Sequence, residues 1–357
     1  MKTSPWIIVL LLPLPAMAQD QPGVNIYGTL DAGVVAERGC TVACPKTRVA
    51  SGIATESHVG IAGRERLNSD VAAVYRVEAG VHVDNGTGDA DKLFGRQAFI
   101  GLDSRWGVLT LGRQYSLQYE ALAGVADPFH GGMAGAASNI AGSAARRFDN
   151  TVKYVTPTVN GWSAGAIYSY GESPFSNKFN RAYGAVIGFE QAPFTLRIAH
   201  QRRYNLSDAT GVVPLVDYSS RNTLIAANMV LKHATIYAGY GVNRGFGSAP
   251  YDPVAPYGTM VVPWFTDRSR DLIAGISIPY GNATFMLSYI HKDDRSLANR
   301  DATQVAAGVA YALSKRTSVY AAYGKIDNRN GARYTVGNAS ERGSGNRALS
   351  IGLRHSF

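Results

Sequence analysis

The ionisable residues of this chain are poorly placed for catalysis. Arg76, Glu78 and Arg197 stand in the middle of short segments that otherwise alternate apolar and polar residues. A guanidinium or carboxylate cannot sit unpaired in a dry interior, so these groups call for a wet cavity. There, fixed charges act on ions by attraction and repulsion rather than by proton transfer. Nucleophilic chemistry has little support. His200, His233, His291 and His355 are present, but none stands in a nucleophile motif with a base and an orienting third group. No G-x-x-x-x-G-K-[ST] phosphate loop occurs. The only two cysteines, Cys40 and Cys44, have three residues between them, which is not the C-x-x-C redox spacing. No His or further Cys stands nearby to complete a metal site, so a loop-stiffening disulfide is expected, with no metal and no cofactor.

The chain begins MKTSPWIIVLLLPLPAMAQD. A lysine, an apolar run and Ala16-Met17-Ala18 form the pattern of a secretory signal peptide, with cleavage expected after Ala18. Pro13 and Pro15 argue against a core helix or a spanning one. Residues 1–18 are then the signal peptide and 19–357 one domain of an exported protein, where a disulfide is favoured. Loss of Lys2 takes the formal charge from +9 to +8. Nucleic acid is excluded as a partner, because the stacking modules are missing and the compartment is wrong.

The body must position the charges, and its pattern is extended. In VNIYGTLDAGVVAER, Val24, Ile26, Leu30 and Val34 share one side, opposite Asn25, Tyr27, Thr29 and Asp31. In the terminal NRALSIGLRHSF, Leu349, Ile351, Leu353 and Phe357 oppose Ser350, Gly352, Arg354 and Ser356. About sixteen such segments are expected, each long enough to cross a membrane at a tilt. Short connectors such as DSRWG, QAP and YGN alternate with long ones around 39–53, 84–91, 116–146, 171–181, 205–219, 244–269 and 326–345. A soluble sandwich would also alternate, but mid-strand Arg and Glu, with aromatics near strand ends, favour an all-β transmembrane antiparallel barrel. The short turns would be periplasmic and the long loops external. A mean hydropathy of -0.08 is compatible, since alternation averages out.

The stretches VNIYGTLDAGV, SHVGIAGRERL, LFGRQAFIGL, VLTLGRQYS, RRFDNTVKYVTP and GLRHSF occur in this order. Together they resemble the β-proteobacterial general porins, trimeric sixteen-stranded outer-membrane channels, from about Val24 to Phe357. The resemblance implies an outer-membrane diffusion channel, not an enzyme, for ions and small hydrophilic solutes. It implies a third external loop, 116–146, folded into the lumen, with Glu120 and Asp127 as its acids. Opposite them would stand a basic ladder of Arg96, Arg113 and Arg147, joined by Lys153. Arg76 and Arg197 add to the lumen charge by alternation. His58 stands where the family usually has Arg, which removes one fixed charge and adds a group that titrates near neutrality. An excess of arginine favours anions. Phe357 would be read by the barrel-assembly machinery. A homotrimer is implied, with small residues such as Gly28 and Ala32 near its interface, and outer-membrane lipid and lipopolysaccharide as surroundings. A substrate-specific anion channel on the same barrel is the nearest alternative; a barrel enzyme and a structural anchor are more remote.

Overall fold

Alternation of apolar and polar residues requires each strand to show one face to one medium and the other face to another. In the computed structural model, which describes residues 23–40, 47–89, 92–172, 181–204, 219–250 and 266–357, that requirement is met by closure. The proposed signal segment 1–18 and Cys44 lie outside the described residues. In chain order the strands are β1 Gly23–Arg38, β2 Thr47–Ser51, β3 His58–Arg66, β4 Val71–His82, β5 Thr87–Gly88 and β6 Gln97–Ser104. There follow β7 Gly107–Tyr115, β8 Arg147–Val155, β9 Trp162–Ser169, β10 Ala182–Gln191, β11 Phe194–Arg203 and β12 Ser220–Val230. The last six are β13 Thr235–Gly245, β14 Arg268–Tyr280, β15 Ala283–Asp294, β16 Ala302–Ala312, β17 Thr317–Asn328 and β18 Arg347–Ser356.

Short β2 and β5 lie at loop bases, and the other strands form a closed sixteen-strand antiparallel barrel. Neighbours in sequence are neighbours in space, and β1 closes on β18 from Thr29↔Ser356 to Arg38↔Arg347. Closure leaves no unpaired edge, which a lipid environment demands. Gly28 and Phe357 exchange backbone hydrogen bonds of 3.2 and 3.0 Å at the seam. The Phe357 ring lies where a Gly28 side chain would be, which explains the glycine.

The burial pattern is that of a soluble protein turned inside out. Ile351 is 55 % exposed on the outer face of β18 while its neighbour Ser350 is 2 % exposed on the inner face. Gln201, Gln304 and Lys292 are buried inside, and Ile26, Ile187, Ile198, Ile225 and Leu272 stand outside. Near the turn ends, Trp106, Trp162, Phe194, Tyr280 and Tyr311 are exposed; Tyr170 and Tyr183 are exposed at the loop ends. Two aromatic belts of this kind mark the two interfaces of a bilayer. The turn-side connections are short throughout. On the other side, 295–301 is short as well, so the expected long loops are joined by one tight one.

Residues 116–146 turn into the barrel. Ser116 caps a short helix, α1 Leu117–Ala121, by accepting a hydrogen bond from the Tyr119 N–H. A wider turn, Leu122–Ala126, ends at Asp127. The loop's apolar residues, Leu122, Val125, Ala126, Phe129, Met133 and Ile140, pack on the inner wall against Leu224, Ile273, Met286, Ile290, Ala306 and Ala322. Glycines on the inner wall allow the contact. A Cβ on Gly324 would lie 2.3 Å from the Ala134 carbonyl oxygen, and one on Gly275 2.5 Å from the Pro128 ring. The loop is thus seated on the β12–β17 side of the lumen.

Candidate channel constriction

The charged cluster at the base of the inward loop is centred on Glu56, in the loop before β3. Its carboxylate accepts hydrogen bonds from Arg96 and Arg147, and from Arg146 at 2.9 Å. Arg96 enters from the loop before β6; Arg146 and Arg147 are the last residue of the inward loop and the first of β8. The Tyr115 hydroxyl accepts from Arg96 at 3.0 Å and Arg147 at 2.6 Å. The Arg147 guanidinium lies 4.4 Å from the centroid of the same ring, and Arg146 lies 5.5 Å from the Tyr119 ring. Tyr115 and Tyr119 stack on each other at 5.5 Å. Burial would raise the pKa of Glu56, but Arg147, Arg96 and Arg146 together hold it far below the usual carboxylate range. Arg146 also donates to the Ala339 carbonyl at 2.6 Å, which ties the first, third and last loops together.

Around this centre, Glu78 accepts from Tyr27 at 2.6 Å and Gln97 at 3.1 Å, and lies 3.5 Å from Arg96. Arg76 lies over Tyr27 and Phe99, at 5.8 and 5.9 Å from the ring centroids. Lys153 pairs with Glu120 at 2.7 Å, bridging the wall and the inward loop. Arg354, on the inner face of β18, donates to the Thr55 hydroxyl at 3.3 Å.

Several expected site residues are placed differently from the ladder pattern. Arg113 pairs with Asp149 at 2.6 Å and donates to the Gly95 carbonyl, apart from the Glu56 cluster. The reason is local: Gly112 pairs with Thr151 and Gln114 with Phe148, so Asp149 and Asn150 together oppose Arg113. Asn150 takes the left-handed backbone, φ 53°, that such a bulge needs. The cluster is therefore Arg96, Arg146 and Arg147, not Arg96, Arg113 and Arg147. Asp127 is fully buried and does not face the basic cluster. It accepts from the N–H groups of Phe129, Gly131 and Ala137 at 2.8–2.9 Å, and so folds the loop. Burial pushes its pKa up to about 6 against those three donors. Arg197 pairs with Glu190 near the turn end, away from the cluster. His58 is buried, and its Nδ1 donates to the Glu56 carbonyl at 2.8 Å. Cys40 is disulfide-bonded.

The motifs do not single out Glu56, Arg146, Tyr115, Tyr119 or Arg354. For Glu56 a signal exists: it is two residues before His58 and so shares its face. The residues that meet it come from loops far apart in sequence.

A closed sixteen-strand barrel with an apolar outside, a polar inside and a loop pinned across its lumen by ionic contacts is a membrane pore of the outer-membrane type. The family model described as Gram-negative porin matches residues 6–331, and the chain belongs to that family. It is 28% identical over 400 residues to an outer membrane porin protein of Bordetella pertussis, covering 100% of both chains. It is 28% identical over 361 residues to the major outer membrane protein P.IB of Neisseria gonorrhoeae, covering 97% of each. Among solved structures, an anion-selective porin from Comamonas acidovorans superposes with a TM-score of 0.76 at 18% identity, over 94% of this chain and 100% of that one. The trimer form of OmpT from Vibrio cholerae superposes with a TM-score of 0.65 at 15% identity, over 95% and 100%. The protein is an outer-membrane diffusion channel of a Gram-negative bacterium.

Proposed function

We propose that the channel prefers anions, and that Arg76, Arg96, Arg146, Arg147, Lys153 and Arg354 create that preference beside the inward loop. The observation that carries this reading is the cluster itself. Six cationic groups gather near the loop, with Glu56, Glu78 and Glu120 as the acids that meet them. Because the loop covers the β12–β17 wall, solutes pass along the side that carries these groups. In a narrow, partly dehydrated passage their field concentrates anions and repels cations. The anion-selective Comamonas porin of similar fold supports the reading.

Export by cleavage after Ala18, barrel assembly through Phe357, and a homotrimer complete the proposal. The trimer form of the Vibrio protein supports the last of these. The test is a reversal potential in a planar bilayer under a potassium chloride gradient. A chloride-selective potential is expected, and a cation-selective one overturns the proposal. Chloride current blocked saturably by one organic anion would move the reading to a substrate-specific channel.

A further inference from the structure

One cation of the passage stands outside the ionic cluster. Arg96, Arg146 and Arg147 share Glu56, Lys153 pairs with Glu120, and Arg354 donates to Thr55. Of these six groups, Arg76 alone meets no carboxylate or hydrogen-bond acceptor among the described residues. The acid two residues on, Glu78, is committed elsewhere: it accepts from Tyr27 and Gln97 and lies 3.5 Å from Arg96. Arg76 rests on two rings instead. Its guanidinium lies 5.8 Å from the Tyr27 centroid and 5.9 Å from that of Phe99.

The strand register brings these rings to it. Phe99 of β6 is directly opposite Arg76 of β4. Tyr27 of β1 is opposite Gly60 of β3, and Gly60 is opposite Glu78. A Cβ on Gly60 would lie 2.7 Å from the Tyr27 ring, so the glycine lets that ring lie across β3 toward Glu78 and Arg76. The Arg76 Nε is buried without an acceptor, which leaves the Nη edge to meet a passing solute. An unpaired guanidinium grips a carboxylate with two parallel N–H donors. The group attached to that carboxylate then falls beside the Tyr27 and Phe99 rings. An aromatic group gains ring–ring contact there that chloride, phosphate or an alkyl chain lacks. Toward the loop end the pairing recurs, with Arg147 on Tyr115, Arg146 on Tyr119 and the two tyrosines stacked at 5.5 Å. The passage offers guanidinium and ring together at successive heights.

We propose that Arg76, Tyr27 and Phe99 form a binding step for aromatic carboxylates. The proposal rests on the anion preference of the pore and narrows it to one class of solute. The test uses the purified full chain in a planar bilayer bathed in potassium chloride. Benzoate is added, and in parallel cyclohexanecarboxylate, which has the same charge and a similar size but no π face. Benzoate should reduce the chloride current saturably, at a half-blocking concentration about two- to tenfold below that of cyclohexanecarboxylate. Phe99→Leu should shrink that difference, and Arg76→Gln should weaken block by both anions about tenfold. Residual current in each variant shows that the barrel has assembled. Where a variant does not conduct, Phe99→Ile or Arg76→Lys replaces it. The lysine keeps the charge but loses the planar fork, and should weaken benzoate block about threefold.

Equal block by the two anions in the unaltered chain, with a chloride-selective reversal potential, overturns this proposal alone. So does a conducting Arg76→Gln channel that benzoate blocks as tightly as the unaltered one. A cation-selective potential overturns the anion preference, and this site with it.

Discussion

Glu56 controls the constriction because it is the carboxylate shared by Arg96, Arg146 and Arg147. Removing one member of a buried ionic group leaves the others uncompensated, at a cost on the order of 3 kcal/mol. Glu56→Gln should loosen the seat of the inward loop and leave a more positive passage. The reversal potential should shift further toward chloride, and a shift toward cations would contradict the assignment. Asp127 acts on the same loop from within. Ionised at neutral pH, it accepts from three backbone donors. Asp127→Asn turns one acceptor into a donor facing an N–H, which should cost about 1–3 kcal/mol of loop stability. Faster amide exchange across 128–138 is the expected readout. The two acids have opposite pH signs. The folded pKa of Glu56 is depressed, so its stabilisation is present above the unfolded value of about 4.3 and is lost only as pH falls through the lower folded value. That of Asp127 is raised to about 6, so its contribution is present below the unfolded value and fades as pH rises through 6. Loop protection, corrected for intrinsic exchange rates, should therefore peak near about pH 4, where the two unfolded values of about 3.9 and 4.3 meet. A monotonic profile would remove one of the two roles.

The inward loop holds its place through contact with the inner wall, and the contact depends on residues without side chains. Gly324→Leu would drive a side chain into the Ala134 carbonyl, already at 2.3 Å from a bare Cβ. The barrel strands pair through their backbones and should survive. The loop should move off β17, and single-channel conductance should change while the barrel's strand content does not. Unaltered conductance would mean that the loop is seated elsewhere. The same loop is anchored farther along by Gly142, whose N–H donates to Asp271 at 2.7 Å. Asp271 pairs with the fully buried Lys292 at 2.6 Å, and Lys292 also donates to Ser269 and to the Ser248 carbonyl. These donors and acceptors let a charge pair stay in a dry part of the lumen.

At the scale of the whole molecule, selectivity comes from a field, and a field can be screened. The Debye length shrinks from about 10 Å at 0.1 M salt to about 3 Å at 1 M. If the cationic groups beside the loop set the preference, the chloride-to-potassium permeability ratio should fall toward unity over that range. A ratio that stays constant would point to contact selection by individual groups. The closed barrel supports such a field by enclosing water between apolar walls.

The strand faces could be read from the sequence because side chains alternate with period two, whatever the partner strand. Val24, Ile26, Leu349 and Ile351 face outward as alternation alone requires, and Asp31 and Ser350 face inward. The same rule turns Arg76 and Arg197 toward the lumen. The motif order carried the inward loop, because its flanking strands are recognisable. Alternation fails at a bulge, so the direction of Arg113 waited for the pairing of Gly112 with Thr151 and of Gln114 with Phe148. Nor does sequence say which acid meets which base. Glu56 meets Arg146 and Arg147 across ninety residues of chain because the loops meet inside the closed barrel. Asp127 was turned inward by its own loop's N–H groups, a local fold that composition does not encode. Periodicity is a property of one strand and survives without its neighbours; ion pairs and constrictions are properties of closure, and exist only once β1 has met β18.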